Sequence, residues 1–160
     1  MSEHELSTKV SRAERFELVD KTGRVRAALS LDEHRGPALE FEDQEGKKRA
    51  EFGLALTGQP SLTLLDEGEH PRILLGFRAD GGVSVGLLGK DGKRRATLAL
   101  SAHESPELFL YGKDGEVRIA LSFISDDDDE PALALIDKEA AIKGRVITSR
   151  QDSQQVKGSG

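Results

Sequence analysis

Hydrophobic residues alternate with polar or small residues along most of the chain between positions 15 and 147. In the stretch RVRAALSL at positions 24–31, Val25, Ala27, Leu29 and Leu31 stand at a spacing of two. That spacing places side chains on one face of a β-strand, whereas a helix requires spacings of three and four. The pattern therefore predicts an all-β domain over residues 15–147.

The strand pattern repeats every 23 residues. One position of the repeat holds the turn residues Gly23, Gly46, Glu69, Gly92 and Gly115. Another position holds large apolar residues: Leu29, Phe52, Leu75, Leu98 and Leu121. A sixth, degraded copy begins at Ala132. Two strands per repeat predict an antiparallel meander of about six 23-residue hairpins, with roughly 10–12 strands.

The turn sequences predict tight hairpins. Segments such as D-K-T-G and K-D-G-K contain the glycine that a type I′ two-residue turn favours. With a two-residue loop, the alternation of side chains would continue from one strand to the next, so the apolar residues of both strands would lie on one face. Phe16, Leu18, Val25 and Leu29 would then share one apolar face, and Arg26 would lie on the opposite face.

A single flat sheet cannot hide such a face from water. We expect it to be covered in one of three ways: closure into a barrel or prism, folding into a sandwich, or packing on copies of the chain. Each way makes Leu98 a core residue. Leu98→Ala is therefore expected to cost about 2–5 kcal/mol of stability. Substitution of Lys90 in a turn is expected to cost little.

The charge and composition argue against several classes of binding partner. The chain has 23 basic and 29 acidic residues and a net charge of −6, which argues against nucleic acid or an anionic membrane as partner. Its apolar runs are too short to predict a membrane span. The absence of cysteine and of an apolar leader at the start favours a cytoplasmic location. Residues 1–14 are interpreted as a polar N-terminal segment and residues 148–160 as a flexible C-terminal tail.

An arginine follows each turn residue by three positions: Arg26, Arg49, Arg72, Arg95 and Arg118. This column could bind an anionic polymer. Alternatively, each arginine packs on the sheet and pairs with a nearby carboxylate, Glu42 beside Arg49 being one candidate. Phe109 and Tyr111 make the opposite face partly apolar, so this face, with the arginines, is a possible interface between subunits.

The polar clusters give weak indications of metal binding. The run DDDDE at 126–130 could attract Ca²⁺ but lacks the spacing of a calcium loop, and an acidic surface loop is the simpler reading. His34 and His103 occupy the same turn position three repeats apart, which favours surface histidines over a zinc site. The sequence contains no recognisable catalytic or phosphate-binding motif. We therefore expect no enzyme activity, cofactor or metal.

The sequence favours a structural or assembly protein, a rigid β-repeat scaffold that self-associates or docks on a protein partner. A homo-oligomer is expected, and a trimer is the favoured form. The alternative is a β-barrel module that binds an apolar small molecule inside the barrel. An enzyme with a site formed between subunits is a third possibility.

Overall fold

The computed structural model describes residues 11–32, 36–123, 131–139 and 142–147, with the backbone alone for Asp32 and for 142–147. These residues form twelve strands and, within the described ranges, no helix. The strands are β1 (Arg15–Val19), β2 (Val25–Asp32), β3 (Gly36–Glu42), β4 (Lys48–Leu54), β5 (Pro60–Leu65), β6 (Pro71–Phe77), β7 (Val83–Leu88), β8 (Arg94–Leu100), β9 (Pro106–Tyr111), β10 (Val117–Phe123), β11 (Pro131–Ile136) and β12 (Ile142–Ile147).

All twelve strands belong to one sheet in the order of the sequence, and every neighbouring pair is antiparallel. The predicted all-β antiparallel meander is confirmed. Contacts between strands occur only between sequence neighbours, so the described strands form a single layer. The sheet is open, because β1 and β12 do not pair with each other. The prediction of a barrel or prism closed by one chain is therefore wrong.

The turns at the glycine positions have three loop residues. In the first, the Asp20 amide donates to the Arg24 carbonyl oxygen at 2.9 Å, and the Gly23 amide donates to the Asp20 carbonyl oxygen at 3.0 Å. Gly23, the third loop residue, has a φ of 81°. Such a loop is a type I turn followed by a left-handed residue. The predicted two-residue type I′ turn is wrong, because the carboxylate of Asp20 also accepts from the Thr22 amide at 2.8 Å and holds the wider loop.

The three turns that the structure describes at the other end of the strands have the same geometry. The Ala55 amide donates to the Gln59 carbonyl oxygen at 3.0 Å, and Gly58 has a φ of 82°. Two of the loops within the described residues place glutamate at this left-handed position, Glu69 with a φ of 60° and Glu104 with a φ of 63°. The third loop position therefore imposes a positive φ whichever residue occupies it.

A β-bulge follows each turn on the glycine side. Leu18 pairs with Ala27 and Val19 pairs with Val25, so Arg26 is an additional residue in β2. The same shift recurs in the other five hairpins. The bulge reverses the side-chain parity beyond it. Val25 therefore lies opposite Val19 on the second face, and its predicted place beside Phe16 and Leu18 is wrong.

Burial within one chain is slight. Among the described residues, the buried apolar side chains are Ala27, Ala28 and Ala99, and Thr97 is the buried polar one. A single layer lacks a second layer to cover it. The sheet is therefore held by its hydrogen-bond ladder and by side-chain rows that run across neighbouring strands.

Candidate functional site

One face of the sheet carries continuous rows of large apolar side chains, which we call the apolar face. Residues directly opposite each other in the register form its central row. On the strands with described side chains, this row consists of Phe16, Leu29, Leu39, Phe52, Leu62, Leu75, Val85, Leu98, Leu108, Leu121 and Leu133. The bulge lies outside this row, so the row crosses the sheet without interruption.

Two further rows flank the central row. Toward the glycine turns, large residues such as Phe41 and Leu64 alternate with a position that holds alanine in three hairpins and isoleucine, Ile73 and Ile119, in two others. Toward the other turns, Leu54 pairs with Pro60, and Val83 pairs with both Phe77 and Leu100. The largest side chains are therefore most regular along the middle of the face.

Much of the apolar face is exposed to solvent. Leu98 exposes 59% of its surface and Phe52 exposes 53%. The exposed large residues on this face together present an apolar area on the order of 1,000–1,500 Å², compared with about 300–600 Å² for the largest patch on a typical monomer. One chain does not supply the predicted core around Leu98 and its equivalents, because no second layer of the described strands covers them; their burial by packing on copies stays a prediction.

The middle of the apolar face is concave. Strands β4 to β9 enclose a depression of about 540 Å³ with an almost entirely apolar lining. Phe52, Leu75, Val85 and Leu98 of the central row form part of this lining. A depression of this kind accommodates apolar side chains or an apolar molecule.

The opposite face is polar or small at most positions. Lys48 lies between Glu40 and Glu51, with its ammonium nitrogen 2.6 Å from a carboxylate oxygen of Glu51. A row of small residues follows: Ser30, Ala38, Gly53, Ser61, Gly76, Ser84 and Ala99. A Cβ on Gly53 would lie 3.2 Å from the Cβ of Ala38, which explains the absence of a larger residue there.

The predicted aromatic pair also lies on this opposite face. Phe109 and Tyr111 are half-buried on β9, with ring centroids 6.5 Å apart and planes inclined by 51°. The register sets Phe109 between Thr97 of β8 and Ala120 of β10. Tyr111 lies opposite Val117 of β10, so the two rings belong to an apolar patch that extends onto the neighbouring strand.

The arginine column coincides with the bulges. Arg26, Arg49, Arg72, Arg95 and Arg118 are the additional residues of their strands. The sequence showed the column but not its cause. A constant arginine three residues after a turn glycine is the signal that marks the bulge.

Four of these arginines connect consecutive hairpins. The Arg72 Nε donates to the Leu88 carbonyl oxygen at 2.9 Å, and Arg118 Nη1 donates to the Asp137 carbonyl oxygen at 2.9 Å. Arg26 and Arg95 make the corresponding bonds to Glu42 and Gly112. Each bond joins a hairpin to its successor at the level of the turns.

The arginines also pair with carboxylates of their own turns. Arg49 lies 2.5 Å from Asp43, and Arg95 lies 2.7 Å from Asp91. The hydrogen bond from Arg95 lowers the pKa of Asp91 below its usual range. The predicted partner of Arg49 was Glu42, which instead pairs in register with Lys48, since the bulge displaces Arg49. The arginines are thus engaged within the chain, and their role in a subunit interface remains a prediction.

The residues that were considered as metal ligands lie mostly outside the described part of the chain. His103 lies in an exposed turn, while His34 and the 126–130 run lie outside the described residues. Within the described part of the chain, no three histidine or acidic side chains converge in a way that could hold a metal ion. That part also contains no helix capable of crossing a membrane.

Comparison with known proteins assigns no family. No family model matches the chain, and no curated protein matches it significantly.

Proposed function

We propose that the chain is a structural, self-assembling protein whose apolar face is covered by further copies of itself. The single observation that carries this proposal is the continuous central row, which leaves residues such as Phe52 and Leu98 about half exposed in one chain. A patch of this size on one molecule is typical of an interaction surface.

The energetics favour a stable assembly. Burying about 1,000 Å² of apolar surface contributes on the order of 25 kcal/mol per chain. Association costs on the order of 4–15 kcal/mol in lost translational and rotational freedom, and additional side-chain ordering. The area also exceeds the roughly 800 Å² per partner of a standard protein interface. The face is thus large enough to hold copies together without a further partner.

A trimer fits the dimensions of the sheet. Most strands have six or seven residues, which gives the sheet a width of roughly 20 Å. A triangular prism with sides of that width has its axis about 6 Å from each face, close to the ~5 Å that one sheet contributes to a packed pair. Four such sheets would leave the axis about 10 Å from each face, and an empty channel would result.

Sedimentation of the native chain and of Leu98→Asp tests this proposal. We expect the native protein to have three times the 17.4 kDa mass of one chain, or a multiple of that mass. Leu98→Asp buries a charge where the apolar faces pack and should remove the copies held there, which lowers the mass. Leu56→Asp is the control, since Leu56 lies in a turn and is 70% exposed.

The measured masses distinguish self-assembly in general from the trimeric form in particular. A native mass of one chain at micromolar concentration overturns self-assembly, as does an unchanged mass in Leu98→Asp. A native mass of two chains would retain the covered face but replace the trimer by a pair of facing sheets. Circular dichroism of both aspartate variants identifies any change that comes from unfolding.

The depression between β4 and β9 favours a second candidate, the binding of an apolar molecule. Its volume of about 540 Å³ lies within the range of small-molecule sites, although it is open on one side. Solvent extraction of the purified protein followed by mass spectrometry tests this candidate. A stoichiometric apolar compound would support it, and the same compound should be absent from Leu98→Asp.

A further inference from the structure

We infer that the ends of the sheet also bind copies of the chain, with β1 of one copy pairing antiparallel with β12 of the next. Within the described residues, each of these strands is paired on one side only. Because the sheet has twelve alternating strands, β12 of one copy and β1 of a following copy have opposite directions. A further copy therefore continues the meander without any change of direction.

The outward backbone groups of β1 are defined by its pairing with β2. The Leu31 amide donates to the Glu14 carbonyl oxygen at 3.1 Å, which identifies these residues as a hydrogen-bonded pair. Pairs alternate along an antiparallel ladder, so Phe16 and Leu18 bond to β2. The amides of Arg15 and Glu17 consequently point away from β2, toward the position of an additional strand.

The repeat specifies the register of that strand. Inside the sheet, one hairpin joins the next with central-row residues opposite each other, as Leu29 lies opposite Leu39. Applied to the ends, the rule sets Phe16 opposite Val146, since Val146 is the residue of β12 in register with Leu133. Glu17 then lies opposite Arg145 in the register.

The exposure of Leu18 indicates the missing neighbour. Leu18 exposes 65% of its surface, whereas its five equivalents in the repeat expose 37–46%. These equivalents are Phe41, Leu64, Leu87, Leu110 and Leu135. Each equivalent has a strand on both sides, and Leu18 has one on a single side. A strand added at β1 would give Leu18 the environment of its equivalents.

The β1 edge also lacks the usual barriers to pairing. Exposed edges are commonly blocked by proline, by a bulge or by a charge on the apolar face. β1 has the sequence RFELV, without proline, and its hairpin's additional residue lies in β2. Both of its charged residues, Arg15 and Glu17, lie on the polar face, where they pair with each other. The junction concerns the strand edges and does not depend on how the apolar face is covered.

Disulfide cross-linking of the full chain tests the register, because the native sequence has no cysteine. The double variant Phe16→Cys/Val146→Cys places its two cysteines in a non-hydrogen-bonded pair between copies, with Cα atoms about 4.5 Å apart. Mild oxidation should convert most of the protein into a ladder of covalent multimers on a non-reducing gel. The matched control, Phe16→Cys/Gly144→Cys, is two residues out of register and should give little cross-linking.

A cross-link within one chain does not compete, because eleven inter-strand spacings of about 4.8 Å separate β1 from β12. Absence of the ladder, or equal ladders in both variants, overturns the junction.

Glu17→Pro provides an independent measurement, since proline removes an outward amide without disturbing the bonds to β2. It should abolish end-to-end species in sedimentation while Glu17→Ala retains them. If both variants retain such species, the edge pairing is wrong, whereas loss of the covered-face particle would concern the proposed function.

Discussion

At the scale of single residues, Thr97 is the one described side chain whose buried polar atom has no hydrogen-bond partner. It is 3% exposed and lies in register between Gly86 and Phe109 on the opposite face. Leaving a hydroxyl unpaired in an apolar setting is unfavourable, since its bonds to water are lost on folding. The same repeat position holds Ala28 and Ala120 in other copies, so the hydroxyl is not a requirement of the fold.

Thr97→Val replaces the hydroxyl with a methyl group of similar volume. We expect the free energy of unfolding to increase by about 1 kcal/mol, because the unpaired polar atom is removed. Chemical denaturation measures this change. Thr63→Val, at a half-buried threonine on β5, is the control and should change stability less. A loss of more than 1 kcal/mol in Thr97→Val would mean that the hydroxyl is bonded in solution.

Glu104 is a second residue under local constraint, since its φ of 63° lies in the region that favours glycine. Glu104→Gly should increase stability by about 0.5–1 kcal/mol, the relief of backbone strain exceeding the entropy that glycine adds to the unfolded chain. Thermal unfolding measures the effect. Glu116→Gly lies outside the left-handed region and should decrease stability. Equal effects of both substitutions would contradict this account of the turn.

At the scale of elements, each hairpin is defined by its turn and bulge together. In the first three hairpins an aspartate at the start of the turn binds backbone amides, and four of the five bulge arginines link their hairpin to the next one. In the third hairpin, partial burial of Asp66 acts to raise its pKa. Four hydrogen bonds outweigh this effect of burial and lower the pKa to about 2. They come from the amides of Gly68 and His70 and from the side chains of His70 and Arg72. The stabilising contribution of this turn therefore depends on pH.

A lowered carboxyl pKa makes stability depend on pH in one direction. The stabilising contribution of Asp66 is complete above the ordinary pKa of about 4 and is lost as the pH falls through about 2. Asp66→Asn keeps an oxygen for the two amides but cannot titrate. We expect its melting temperature to fall less between pH 4 and pH 2 than that of the native protein. Parallel pH profiles would contradict the role of the Asp66 charge.

The link between hairpins is tested at Arg118, which bonds to Asp137 of the following turn and to Asp114 of its own. Arg118→Ala should lower the free energy of unfolding by about 1 kcal/mol and accelerate amide exchange at Glu139, whose amide binds the Asp137 side chain. Arg94→Ala, at an exposed neighbouring position, should change stability by less than about 0.5 kcal/mol. Unchanged exchange at Glu139 in Arg118→Ala would exclude the link.

At the scale of the whole molecule, the sequence predicted the meander well because spacing-two alternation and a constant turn position are local signals. Turn glycines such as Gly23 predicted where the turns lie. They did not predict the three-residue loop, which depends on the Asp20 side chain accepting a hydrogen bond from the Thr22 amide. The bulge at Arg26 was hidden because one additional residue leaves the 23-residue period unchanged. What covers Leu98 could not be predicted, because alternation shows that a face is apolar without showing what packs against it.

The central claim is that copies of the chain cover the apolar face. Thiol labelling of Leu98→Cys in the native assembly tests this claim most directly, since the chain has no other cysteine. We predict slow labelling that becomes fast on denaturation, while Leu56→Cys, in its exposed turn, labels fast in both states. Native labelling of Leu98→Cys as rapid as that of Leu56→Cys would show an uncovered face and contradict the account.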